Sequence, residues 1–222
     1  MRKIFLSLFT LAIFSFTQLQ AQTNENLFFV FLNTNANKAK LSTEQVENLQ
    51  AAHLQNIEKL SDEGKLLAAG PFDTGGGFFV IHADNIEQAN EIISTDPAIA
   101  ANRYIIEIYP FSIRINDLCG AKKPYEMVTY QFVRITADLT YFGDLDQMIY
   151  DNRIFMGKIA NENDFVVTQG IFDEYNSGIL ILDVPSTEEA IEIINQHPAV
   201  QAGQLKYEVM PVWMAKGTFC KR

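Results

Sequence analysis

Residues 53–110 read HLQNIEKLSDEGKLLAAGPFDTGGGFFVIHADNIEQANEIISTDPAIAANRYIIEIYP. Much of this stretch returns in the second half of the chain. Ala89, Pro97 and Pro110 have partners in Ala190, Pro198 and Pro211, 101 positions on, while Gly70, Phe72 and Asp73 have partners in Gly170, Phe172 and Asp173, 100 positions on. The chain is a duplication. Rungs of a solenoid run to roughly 20–50 residues, so a unit of this length with both helical and strand patterns is a domain-sized motif.

Working outward, residues 27–32 form an unbroken Phe-rich apolar run, the pattern of a strand covered on both faces. Ser42 or Thr43 caps a helix in which Val46, Leu49, His53, Ile57 and Leu60 recur at spacings of three and four, and Gly64 closes it. Residues 66–69 and 78–81 are short strands joined by a connection dense in turn residues. Ile86, Ala89 and Ile93 mark a second helix, which must stop near Thr95 because Pro97 disfavours helical backbone before it. A last strand spans 104–109. The order β-α-β-β-α-β predicts an α+β, ferredoxin-like unit, a four-stranded antiparallel sheet with both helices on one face.

The same order recurs with strands at 127–135, 165–168, 178–182 and 205–210 and helices at 142–160 and 187–195. This predicts a first repeat over 22–113, a linker over 114–124 and a degenerate second repeat over 125–222. The Ile, Phe and Tyr content of the strands leaves the helix-free face of each sheet apolar too, and pairing those two faces would bury both.

Residues 1–21 open on Arg2 and Lys3, continue through an apolar run and end in Leu19-Gln20-Ala21, the pattern of a secretory signal cleaved before Gln22. The protein is therefore expected outside the cytoplasm, periplasmic or secreted; the alternative is an uncleaved anchor, although the run is short of the ~20 apolar residues a spanning helix needs. Without that segment the net charge moves from −10 to −12. A surface this acidic, with no basic stripe, argues against nucleic acid as a partner, and no membrane contact is expected once the signal is removed. Cys119 and Cys220 stand one repeat apart, each nine residues past its repeat's closing proline. In an exported protein that suggests a disulfide joining two tails, the alternative being two separately buried thiols.

His53-Leu54, Gly64-Lys65-Leu66-Leu67-Ala68-Ala69-Gly70-Pro71, the glycine-rich turn, Asp96-Pro97 and the closing Pro110 resemble the YCII-related (YciI-like) domain, a small member of the dimeric α+β barrel superfamily. The likeness runs from about residue 27 to 111. The second repeat resembles the domain less: it keeps Gly170, Phe172, Asp173 and Pro198, lacks a Gly-Pro pair and has His197 where Asp96 stands. The resemblance implies two domains paired by a two-fold axis with sheets back to back, here fused in one chain that would be a monomer or a weak homo-oligomer. It also implies an enzymatic role for a histidine and an aspartate, which fall on His53 and Asp96, and one class of relatives removes chloride from chlorinated hydroxyquinols.

The chemistry of these residues allows that role without requiring it. His53 sits in an apolar stripe where Leu or Ile would serve packing alone, and an imidazole titrating near neutrality can take and return a proton in a pocket. Asp96 could orient the ring; the competing reading is a histidine satisfied by a backbone carbonyl and an aspartate capping a turn. In the second repeat the counterpart of His53 is Arg153 by counting back from Gly170, or Asn152 by matching stripes, so the couple exists once per chain, with Arg153 and His197 a weaker anion-binding pair. Gly70, Pro71 and Asp73, beside the flexible glycine run, are candidates for ligand contacts, although Asp73, kept as Asp173, also reads as a turn residue. Residues 75–77 lack the ending of a phosphate loop. His82 has no partner at metal-ligand spacing, and no metal is expected. Trp213, Phe28, Phe29, Phe31 and Tyr104 are expected in the core. The expectation is an exported protein binding a small cyclic or aromatic organic molecule, with cofactor-free lyase or isomerase chemistry at His53 and Asp96; the alternative is a non-catalytic ligand-binding or structural protein.

Overall fold

A computed structural model describes residues 26–138, 140 and 143–221. The expected signal segment, the predicted start of the long second-repeat helix at Phe142 and Arg222 lie outside the described residues. The first half comprises β1 (Leu27–Thr34), α1 (Thr43–Asp62), β2 (Leu66–Pro71), β3 (Gly77–His82), α2 (Ile86–Ser94), α3 (Pro97–Ala100) and β4 (Tyr104–Pro110). After β5 (Ser112–Ile115) and β6 (Asp117–Leu118), the second half runs β7 (Met127–Ala137), α4 (Leu145–Glu162), β8 (Val166–Ile171), β9 (Gly178–Leu182), α5 (Thr187–Ile194), α6 (Pro198–Gln201), β10 (Leu205–Ala215) and β11 (Phe219–Cys220).

Each half builds an antiparallel sheet, in the orders β2-β3-β1-β4 and β10-β7-β9-β8-β5. The second is the first with one strand added. That strand, β5, falls partly in the stretch expected to be only a linker. It continues the first repeat's last strand across to the edge of the other sheet and pairs with β8, Ser112 opposite Ile171. The reciprocal crossing is made by β10, which extends five residues past its expected end and meets the chain just beyond β2 at a bridge between Phe72 and Val212. The two crossings close the sheets on each other as a dimeric α+β barrel within one chain.

Strand alternation divides the apolar residues between layers. On β1, Phe29 and Phe31 point into the barrel, fully buried with Phe78, Phe111, Phe132, Ile179 and Val212 from both repeats. Phe28, Val30 and Leu32 point the other way, under α1 and α2. An unbroken apolar run is what such a two-sided strand requires. The centre is aromatic: Phe29 stacks on Phe78 at 5.1 Å between ring centroids and meets Phe111 edge-on at 5.2 Å. Trp213 departs from expectation. It is half exposed, because on β10 its neighbours Val212 and Met214 take the inward positions.

The tails meet as a two-stranded ladder of β6 and β11, where Cys119 and Cys220 are joined in a disulfide with Cα atoms 5.9 Å apart. Among the described residues no helix is long and apolar enough to cross a membrane.

Candidate functional site

Helix α1 begins in a capping box, with Ser42 and Gln45 each bonding the other's backbone amide, and ends before Gly64, whose φ of +69° lets the chain turn back into β2. This fixes which face meets the sheet. His53 and Leu60 are buried on that face, whereas Val46, expected in the same stripe, is largely exposed, since the first turns of the helix overhang an opening rather than the sheet.

Asp96 is fully buried between α2 and α3. Pro97 holds it in extended backbone (φ −75°, ψ 122°), the conformation of an N-cap, and its Oδ1 accepts from the amides of Ala98 (2.8 Å) and Ile99 (3.4 Å). Its other oxygen faces α1: His53 Nδ1 donates to Asp96 Oδ2 at 2.7 Å. Orienting and capping are thus done by one carboxylate. With Nδ1 committed, Nε2 is the ring nitrogen with no protein partner among the described residues.

His53 lines a cleft of about 220 Å³ between α1 and the β2–β3 turn. Leu32, Ile57, Phe78 and Phe79 give it an apolar wall, and Gly70, Pro71, Gly76 and Gly77 line its turn side. The imidazole lies nearly parallel to Phe79, 6.1 Å between centroids. Tyr104 stands across from it at 6.2 Å, its phenol held above the ordinary value by burial and then by the Asp96 charge, so it presents a neutral hydroxyl. Gly76 has φ +79°, and a Cβ there would lie 2.1 Å from the Leu32 carbonyl oxygen; only glycine keeps this turn so close to β1.

Asp73 is not part of this cleft. It is exposed, and its backbone amide bonds to the Pro211 carbonyl of the other repeat (3.1 Å). Asp173 is a turn residue whose Oδ1 accepts from the amides of Tyr175 and Ser177. Gly70 does line the cleft, yet its lack of a side chain answers to packing: a Cβ would meet Val212 at 2.8 Å.

The second repeat keeps the geometry without the charge. Asn152, not Arg153, takes the place of His53, and its Oδ1 lies 2.9 Å from His197 Nε2. His197 caps α6 as Asp96 caps α3, with Nδ1 accepting from the Ala199 amide at 3.1 Å, so Nε2–H is the donor and the ring is neutral. Burial pushes His197 down to about 4. Arg153 is exposed near Tyr150, so it makes no anion pair with His197. Where the first repeat has Gly75-Gly76-Gly77, the second has Asn176-Ser177-Gly178, and Tyr175, just before them, packs on the helix-side core of its own repeat.

A polar cluster not singled out from sequence joins the repeats inside the barrel. Arg134 of β7 donates from both terminal nitrogens to Glu107 of β4 (2.7 and 3.3 Å), while Tyr109 and Asn33 donate to the same carboxylate at 2.6 Å each. The guanidinium covers the Phe31 ring at 4.1 Å. These bonds, Arg134's foremost, hold Glu107 down at about 2. An acid at an inward position of an otherwise apolar strand was the available signal.

A model of the YCII-related domain matches residues 27–112. The uncharacterised protein YjpA of Bacillus subtilis is 35% identical over 65 residues, 29% of this chain and 76% of that protein. Two solved structures share the whole architecture: a candidate monooxygenase of Fusobacterium nucleatum (TM-score 0.50, 8% identity, 88% of this chain and 97% of that one) and a heme-binding protein of Thermus thermophilus (TM-score 0.50, 9% identity, 87% and 91%). At such identities they speak to fold alone. The domain match falls on the repeat that carries His53 and Asp96, and with the YjpA likeness it shows that the chain belongs to the YCII-related domain family.

Proposed function

We propose that the first-repeat cleft binds a small cyclic or aromatic organic molecule and that His53, oriented by Asp96, moves a proton on it in a cofactor-free reaction of lyase or isomerase type. The observation that carries this reading is the buried 2.7 Å bond from His53 Nδ1 to Asp96, which leaves Nε2 as the basic nitrogen beside the apolar cleft. The Nε2 lone pair takes a proton from a carbon or hydroxyl of the ligand, Asp96 stabilises the imidazolium, and the proton returns to another atom of the same molecule or to its leaving group. Asn152 and His197, neutral in the same geometry, give the second repeat a supporting part. On the reading of residues 1–21 as a signal, the protein works outside the cytoplasm, and N-terminal sequencing of the exported chain should begin at Gln22.

Ligands come from a thermal-shift screen of phenols and small organic acids, because a molecule that binds only the folded chain raises its melting temperature. Each hit is then followed by NMR in deuterated water. The wild type should exchange an acidic proton of the ligand, and His53→Gln and Asp96→Asn should slow that exchange at least about a hundredfold, at the lower end for general acid–base groups. Binding without exchange would return the protein to the non-catalytic alternative, and a shift that survives His53→Ala would place the ligand elsewhere.

A further inference from the structure

The His53 cleft does not end at Tyr104. A second hollow, of about 250 Å³, shares Gln50, Gly76 and Tyr104 with it and is bounded beyond them by Val46, Lys38 and Arg103. The two form one groove beside α1. From Val46 at the outer end to His53 is seven residues of helix, about 10 Å at 1.5 Å per residue, the scale of one substituted ring.

Arg103 Nη1 donates to the Ala39 carbonyl at 2.7 Å, which ties the guanidinium to the loop that carries Lys38. Both cations therefore border the outer hollow. Neither is in an ion pair among the described residues. The chain has 27 acidic residues against 17 basic ones, yet no Asp or Glu lines either hollow. In a protein of net charge −10 this groove carries two unpaired positive charges. The hydroxyls of Thr34 and Tyr104 add neutral hydrogen-bonding capacity along the same wall. A neutral ligand would leave that charge unused, while an anion would receive charge-assisted bonds from it.

We infer that the ligand is a small organic anion, a single-ring carboxylate, whose charged group is held by Lys38 and Arg103 while its ring lies along the groove toward His53. This rests on the groove being the ligand site proposed above. Each hollow alone is smaller than the ~300–1,000 Å³ of sites for drug-sized ligands, which suits a ligand of one ring rather than several.

The test titrates the disulfide-intact chain by calorimetry with benzoate, phenyl phosphate and the neutral benzamide. Benzoate should bind at least about tenfold more tightly than benzamide, the size expected of charge-assisted hydrogen bonds, and the preference should shrink as salt is raised. Lys38→Glu and Arg103→Gln should each remove about a tenfold preference, whereas His53→Gln should keep it. Lys38 is exposed and unpaired, so Lys38→Glu reads the charge without disturbing the Ala39 anchor that Arg103→Gln loses. Equal binding of benzoate and benzamide, an unchanged preference in Lys38→Glu, or no binding of benzoate overturns the inference, and tighter binding of phenyl phosphate than benzoate overturns the carboxylate in favour of a phosphate ester. A neutral ligand with His53-dependent proton exchange would sink the anion site and leave the proton-transfer reading standing; benzoate held through Lys38 without exchange in any carboxylate hit would do the reverse.

Discussion

Asp96 and His197 occupy one position of the duplicated pattern and show what a single side chain decides. Each precedes a proline, caps a four-residue helix and reaches a polar residue on the long helix opposite. Asn caps as well as Asp does, so Asp96→Asn should cost less than about 1 kcal/mol while slowing proton exchange at least about a hundredfold. Asp96→Ala loses the cap and leaves His53 Nδ1 unpartnered, and should cost about 2–4 kcal/mol in urea unfolding. For His197, burial holds the folded-state value at about 4, with the Asp151 charge opposing only in part, against an ordinary value of 6.5. Between those two pH values the unfolded chain binds more protons. The contribution is therefore complete above pH 6.5 and is lost as pH falls toward 4, up to about 3 kcal/mol in all. Urea midpoints measured across this window should fall more steeply for the wild type than for His197→Asn.

At the scale of elements, Gly70 on β2 and Gly170 on β8 mark where the last strand of one repeat passes over the edge strand of the other. A Cβ at Gly170 would lie 2.2 Å from the Phe111 ring, and one at Gly70 would lie 2.8 Å from Val212. The ring at Gly170 is itself fully buried and cannot swing aside into water. Gly170→Ala should therefore destabilise by about 1–3 kcal/mol or more. The cost should shrink when Phe111→Leu makes room, a coupling that a double-mutant cycle of melting transitions reads directly.

Over the whole molecule, a polar bridge and a disulfide add to the core and the strand crossings in tying the repeats together. Arg134 bridges to Glu107 across the barrel, each side chain partly exposed. Arg134→Met should cost more than the ~0–1 kcal/mol of a surface pair and less than the ~3–5 kcal/mol of a fully buried one. Because Glu107 is held at about 2, below its ordinary 4.5, its contribution stands above pH 4.5 and is lost as pH falls through 2. That window lies below the one for His197, so acid unfolding of Arg134→Met and of His197→Asn should diverge from the wild type at different pH. The disulfide closes a separation of 101 residues. Cys119→Ser should lower the melting temperature, with a loss of stability of up to ~4.7 kcal/mol in the chain-entropy model.

The order of strands and helices, the duplication and the two-sided burial of β1 are legible in the chain because periodicity is local: alternation or a spacing of three and four is set within a few residues. Residue type also singles out His53 and Asp96, a polar pair where packing alone would ask for neither. Their 2.7 Å contact, the choice of Asn152 over Arg153, the strand within the expected linker and the outward turn of Trp213 are decided by how the two sheets close. So are Arg134 meeting Glu107, and Lys38 and Arg103 bordering one hollow. Each of these depends on segments tens of residues apart coming into register across a barrel, and no spacing along the chain encodes that register. The chain by itself determined what its elements are; the closed barrel determined which of their side chains meet.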